Sequence, residues 1–300
     1  MKRVLVIGAN GFTGRSVLEH LSLSGQYILF ALSLSDDITP NSQYKYSFTK
    51  GNICNFEWFN DYFRKLSPDV VINCSAISVP DFCENNRDIA LLCNSTAVNN
   101  IAAQAKQIGC KVIHLSTDFV FDGKKGSKYT EYDTPSPVNY YGYTKMMGER
   151  ALMESGCNYI IARVILIYGA TYPGQHGNIV NLVYNKLTNG ESINVVCDQW
   201  RTPVYVKDIA MAMDSFINSS CTGIFHIAGQ ECLSISQIAY RVAEIMNLDS
   251  SLINELTTAQ MNEKIARPLF SCLDISKANK EIGFDPTPFD IGVKKSFNID

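Results

Sequence analysis

VLVIGANGFTG, residues 4–14, decides the fold. An apolar, mostly β-branched run, VLVI, reads as a strand. Gly8, Gly11 and Gly14 follow at three-residue intervals, with Asn10 and Phe12 between them, and a helical pattern opens at residue 12. A chain that turns tightly and brings its backbone against a pyrophosphate needs glycine here, while the helix N-terminus offers free N–H groups and partial positive charge. GxxGxxG is a relative of the GxGxxG fingerprint. In a strand–turn–helix context it points to a dinucleotide.

Outward from this stretch the pattern repeats. YILFAL (27–32), DVVIN (69–73), KVIHLS (111–116) and YIIARVI (159–165) read as further strands, and a short one runs through YKYSF around Tyr46. Residues 12–24, 55–66, 88–107 and 140–155 carry helical periodicity. Several strands are apolar on both faces, as a parallel sheet covered by helices requires. The reading is an α/β, doubly wound parallel (Rossmann) sheet with a smaller C-terminal substrate lobe. Its expected division is 1–169 for the dinucleotide domain and 170–300 for the lobe, with about 205–230 returning to the first. After residue 170 the expected elements are helices at 178–189, 206–218 and 235–247 and strands at INVV and 223–227, before a loop-rich tail.

Composition narrows the function. The chain has 300 residues, 46 % apolar and 18 % charged, with a net charge of −3. There is no basic stripe, which argues against nucleic acid, and no apolar run approaches membrane-spanning length. The ten cysteines have no CxxC or metal-ligand spacing and read as small buried hydrophobes of a reducing compartment, with no metal site. The apolar start MKRVLVI is too short for a secretory signal. The expectation is a cytoplasmic protein.

An acidic residue reading the ribose 2′-OH should stand at the end of the second strand. Ser33 occupies that region, with Asp36 and Asp37 beyond it and no arginine nearby. Ser33 tolerates a 2′-phosphate better than a carboxylate does, so NADP(H) is favoured over NAD(H) without excluding it. Asn52 and Ile53, after the third strand, stand where an adenine is flanked; a plain turn is the alternative.

NYYGYTK, residues 139–145, pairs Tyr141 with Lys145 at i,i+4, one helix face. A cation beside a phenol is expected to lower its pKa. Tyr46 and Lys50 share the spacing, but in a strand four residues span about 13 Å and cannot touch. Ser116, Thr117 and Asp118 lie just past the carboxyl end of the fifth strand, where such sheets bind ligands; capping a turn is their plainer role.

GANGFTG, STDFVFDG, YxxxK and DQWRTPVYVKDIA together resemble the extended short-chain dehydrogenase/reductases, and STDFVFDG with ARPLFSCLDISK resembles the dTDP-4-dehydrorhamnose reductase branch. The match runs from residue 3 to about 282. The resemblance implies a hydride delivered from NADP(H) or NAD(H) to the C4 carbonyl of a nucleotide-linked 4-keto-6-deoxy sugar. It assigns Tyr141 as general acid, Lys145 to the cofactor ribose and to the tyrosine's pKa, and Thr117 to orienting the carbonyl. It also places Asn94 behind the lysine and Cys74, Ser75 and Ala76 along the cofactor, and gives Ser116 a cofactor contact. Leu166 departs from the branch, which often has an aromatic there.

On the substrate side, Asp118, Asn178 at a helix start, Trp200, Arg201 and Arg267 are the candidates. Trp200 offers stacking and the arginines a guanidinium for phosphate, with structural ion pairs as the alternative. His226 and His114 read as core histidines. The partner expected is a nucleotide sugar, and a homodimer is left open. Competing functions are an epimerase or dehydratase that recycles its cofactor, or a regulatory subunit resembling methionine adenosyltransferase beta.

Overall fold

The computed structural model describes residues 1–38, 43–172, 175 and 177–299. Six strands, β1 (Lys2–Ile7), β2 (Tyr27–Ser33), β3 (Ser47–Lys50), β4 (Val70–Asn73), β5 (Lys111–Thr117) and β6 (Asn158–Val164), join the strand Gly223–Ile227 in one sheet. The order runs from Gly223–Ile227 through β6, β5, β4, β1, β2 to β3, and every pairing is parallel. The strand order reverses at β1, between β2 and β4. That switch point opens a crevice at the carboxyl ends, the binding position in doubly wound sheets. β4 and β5 are buried along their whole length, as helices on both faces demand.

The helices divide between the two faces. α1 (Phe12–Ser24) and α2 (Phe56–Leu66) follow β1 and β3. A short helix, α3 (Pro80–Asn85), precedes the segment expected as one helix over 88–107, which is itself divided into α4 (Arg87–Leu91), a π-helical turn at Leu92–Thr96 and α5 (Ala97–Ile108). The π turn inserts extra backbone into a ladder that apolar periodicity alone would leave continuous. α6 (Tyr140–Ser155) begins where Asn139 Oδ1 accepts from Gly142 N at 2.9 Å. One core cluster joins Val17, Leu21, Ile72, Ile113, Met213 and Phe225 on one face; another joins Leu5, Phe63, Ile101 and Ile161 on the other.

A third cluster, with Val180, Val195, Ile238 and Phe289, forms the small lobe around α7 (Ile179–Thr188), the strand pair Ile193–Val196 and Ile253–Leu256, and a helix at Ile235–Ile245. Phe12 and Leu166 pack against it from the sheet side. The tail is more helical than expected, with helices at Thr258–Met261, Ser276–Ile282 and Phe289–Ser296. Each is short, too short for periodicity to reveal. The expectation of ten unpaired cysteines also needs correction. Cys232 and Cys272 form a disulfide, and eight are free. Both flank strand Trp200–Arg201: Leu233 pairs with Arg201 on one side and Phe270 bridges Trp200 on the other. That convergence is invisible across a sequence separation of 40. Among the described residues no helix is long and apolar enough to cross a membrane.

Candidate functional site

The crevice is lined by backbone. Gly8 takes φ +77°, and a Cβ on it would lie 2.8 Å from Ser75 N. On Gly14 a Cβ would lie 2.2 Å from Gly8 O, so helix and turn meet at a separation only glycine permits. Gly11 is the N-cap of α1 and has no side chain to occupy the helix N-terminus. Asn10 reaches across to the end of β2, donating to Ser35 Oγ and Asp36 O, both at 2.8 Å. Cys74, Ser75 and Ala76 leave β4 beside Gly8, with Cys74 N bonded to Ile7 O at 2.9 Å. Ser33 closes the other side, and Gly51 N donates to its carbonyl at 2.8 Å. Asn52 and Ile53 follow, Ile53 packing on Leu32's cluster. Backbone amides, a bare helix N-terminus and a cradle that any Cβ would fill suit a dinucleotide pyrophosphate.

Tyr141 sits at the carboxyl end of β5, buried, in hydrogen-bonding contact with Thr117 and with its ring edge-on to Phe119. Burial raises its pKa; the Thr117 hydrogen bond opposes the rise and the charge of Asp118 adds to it. The i,i+4 argument expected the reverse. In the protein itself desolvation leads and the lysine is turned away to β5: Lys145 Nζ donates to Leu115 O at 2.7 Å and lies 3.2 Å from His114 Nε2. Burial lowers Lys145 to about 8, while Glu149 one turn further along holds it up. Tyr140 and Tyr143 stack on one another, with Arg87 over Tyr140, and Tyr140 packs against the cluster that holds Tyr141.

Several expected contacts are used otherwise. Ser116 Oγ donates to Glu149, which also takes a two-pronged bond from Arg163 at 2.9 and 2.7 Å. This buried triad fixes α6 to β5 and β6 and leaves the Ser116 hydroxyl engaged. Asn94, on the π turn, bonds both backbone groups of Ile77 at 2.9 Å and Thr144 Oγ1 at 3.0 Å, not Lys145. It holds the β4 loop against α6. Arg201 is buried and donates to Trp200 O and Pro268 O at 2.8 Å, with Asp118 3.7 Å away. Its guanidinium is committed inside the protein rather than presented to a phosphate. Asp118 accepts from Ser271 at 2.6 Å and Thr117 at 3.2 Å; burial raises its pKa against the pull of Arg201.

Arg267 remains partly exposed, paired with Glu263 at 3.2 Å. The neighbouring Ala266 carbonyl is bonded by Asn139 at 2.9 Å, which places this arginine near the start of α6. Trp200 is partly exposed and its backbone N–H donates to Leu269 O at 2.7 Å, two residues beyond Arg267. Asn178 caps α7 through Asn181 N at 3.1 Å and holds Gly169 O at 3.0 Å. Leu166 adopts φ +39°, a strained conformation for leucine, and packs against the core of the small lobe. His226 is a core histidine: Nδ1 lies 3.1 Å from Tyr129 O, and its ring meets Phe121 edge-on.

His114 is not one. β4–β5 register sets Asn73 opposite it, and Asn73 Nδ2 lies 3.1 Å from His114 Nδ1. Asn73 Oδ1 is fixed in turn by Ser75 N at 3.1 Å and Ser75 Oγ at 2.6 Å. A polar chain thus runs from the crevice wall at Ser75 to the Lys145 amine. The sequence signal was present, an Asn ending one apolar strand and a His inside the next, but only strand register joins them. Lys50 was missed in the same way. It stands opposite Ser33 in the β2–β3 register, its Nζ 3.0 Å from Asp36.

The model of the family described as RmlD substrate binding domain matches residues 1–299. A dTDP-4-dehydrorhamnose reductase of Aggregatibacter actinomycetemcomitans is 31 % identical, covering 98 % of this chain and 98 % of that one. Methionine adenosyltransferase 2 subunit beta of Rattus norvegicus is also 31 % identical, over 98 % of this chain and 87 % of that one. The crystal structure of dTDP-4-dehydrorhamnose reductase from Bacillus anthracis in complex with NADP superposes with TM-score 0.85 at 26 % identity, covering 99 % of both chains.

Proposed function

The chain belongs to the RmlD substrate binding domain family, in the dTDP-4-dehydrorhamnose reductase-like branch of the extended short-chain dehydrogenase/reductases, and from that premise we propose that it is an NAD(P)H-dependent reductase of a nucleotide-linked 4-keto-6-deoxy sugar. The observation that carries the reading is Tyr141 beside Thr117, buried at the carboxyl end of β5 and at the mouth of a glycine-lined crevice. A reduced nicotinamide supplies the hydride. Gly8, Gly11 and Gly14 with the α1 N-terminus hold the pyrophosphate; Asn10 and Phe12 fix the turn. Ser33, Asn52, Ile53 and the Cys74–Ala76 segment line the adenosine and nicotinamide sides.

Thr117 orients the sugar carbonyl, and Tyr141 donates the proton as negative charge grows on C4 oxygen. A phenol whose pKa is raised by burial stays protonated at neutral pH, as a general acid in this direction must. Lys145 binds the ribose and supplies positive charge when drawn from His114. Asp118 acts indirectly, holding Arg201 and Ser271 behind Thr117. Arg267 and Trp200, both partly exposed, take the nucleotide portion in this reading.

The test is stoichiometric oxidation of NADPH or NADH on addition of dTDP-4-dehydro-L-rhamnose. An epimerase or dehydratase would convert its sugar without net cofactor loss. A regulatory subunit, the reading favoured by the resemblance to methionine adenosyltransferase 2 subunit beta, would bind the dinucleotide and leave it unconsumed with every 4-keto sugar nucleotide.

A further inference from the structure

Cys54 Sγ and Cys93 Sγ lie 3.3 Å apart, both partly exposed, and neither belongs to the reduction chemistry above. Cys54 follows Asn52 and Ile53 in the turn between β3 and α2; Cys93 sits on the π turn, one residue before Asn94. The two sulfurs share a hydrogen bond. Donation from the Cys54 thiol lowers Cys93 to about 7, more than burial raises it, and the same bond drives Cys54 up. Cys74, Cys83 and Cys110 are pushed up by burial. A lowered, accessible thiol beside a resolving thiol is the arrangement of oxidant-sensitive cysteines.

We propose that Cys54 and Cys93 are a hydroperoxide-sensitive dithiol that closes to an intramolecular disulfide and thereby weakens dinucleotide binding. The effect on binding rests on the reading of Asn52 and Ile53 as the adenine flank. With hydrogen peroxide, the Cys93 thiolate attacks one oxygen, the O–O bond breaks, and hydroxide leaves to become water. Cys93 is then a sulfenic acid. The Cys54 sulfur attacks it, the S–O bond breaks, and the hydroxyl departs as a second water with the Cys54 proton. Two thiols have lost two electrons and the peroxide has gained them.

The strain falls on the cofactor side. A disulfide needs sulfurs about 2.05 Å apart, so closure draws the pair together by more than an ångström. Cys93 cannot supply much of this movement, because its neighbour Asn94 is held at three points by Ile77 and Thr144. The Cys54 turn is bound mainly to itself: Cys54 N to Asn52 Oδ1 at 2.9 Å and Asn55 N to Asn52 O at 3.0 Å. It therefore moves as a unit and takes Asn52 and Ile53 with it.

The experiment treats the full chain with hydrogen peroxide, maps disulfides by non-reducing peptide mass spectrometry, and titrates NADPH into reduced, oxidised and dithiothreitol-restored samples. The expected result is a Cys54–Cys93 linkage, loss of two of the eight free thiols, and a Kd raised severalfold and restored by reduction. Cys54→Ser should stop at a Cys93 sulfenic acid that dimedone traps, with no rise in Kd. Absence of the linkage, or a linkage that leaves Kd unchanged, overturns the proposal. Failure of the reduced protein to bind NADPH would instead defeat the dinucleotide reading, and the mapping would still judge the dithiol.

Discussion

Lys145 Nζ lies 3.2 Å from His114 Nε2, and the bonds behind this contact oppose a charged lysine. Ser75 fixes the Asn73 amide so that its NH2 faces His114 Nδ1, which must then accept and leaves the ring proton on Nε2. An ammonium there would set donor against donor. A neutral amine accepts from Nε2–H and still donates to Leu115 O.

Burial already lowers Lys145 to about 8 and this contact works in the same direction, so the lysine should titrate well below its ordinary value in the free protein, observable in the NMR spectrum of 13Cε-labelled lysine. His114→Gln offers an amide oxygen to the amine and should move that titration upward. A native titration near the ordinary ~10.4 would contradict the network.

Lys50 is predicted to read a 2′-phosphate. Register sets it beside Ser33, where its present partner is the exposed Asp36. Lys50→Glu should raise the Kd for NADPH about tenfold, the size of one charge-assisted bond near the surface, and leave NADH unchanged. Parallel titrations with the two cofactors check this.

The frame was legible because its signals are local. The run Val4–Ile7 with its glycines, the five long strands and the Asn139-capped helix bearing Tyr141 all announce themselves within a dozen residues. What escaped depends on convergence: Asn73 meeting His114, Ser33 meeting Lys50, and Cys232 meeting Cys272. The π turn escaped because its apolar spacing mimics a continuous helix. The tyrosine's pKa was misjudged in sign because the spacing gave the lysine's proximity but neither the burial nor the competing acceptor at Leu115 O.

Stability should fall as pH drops below about 6.5. His114 and His226 are both depressed by burial, with nearby Lys145 and Arg163 adding to it, His226 to about 3. The unfolded chain takes up these protons while the folded one does not, so stability is complete above the ordinary histidine pKa and is lost with acid. The slope is about 1.4 kcal/mol per pH unit for each histidine. Urea unfolding between pH 7 and 5.5 measures it; a flat profile would show the rings protonated in place.

Gly14→Ala should damage folding and binding together. The added methyl carbon would stand 2.2 Å from Gly8 O, a backbone atom with no side-chain freedom to retreat. A cost of roughly 1–3 kcal/mol is expected for such overpacking, read as a lower Tm, with loss of NADPH binding even where the protein remains folded.

The central claim is that Tyr141 delivers the proton. The measurement is the rate of NADPH oxidation with dTDP-4-dehydro-L-rhamnose by native protein and by Tyr141→Phe, which keeps the ring and removes the hydroxyl. Native consumption of cofactor with a loss on the order of 10²-fold or more in the variant, at unchanged NADPH affinity, is the predicted result. Equal rates in the two proteins would contradict it.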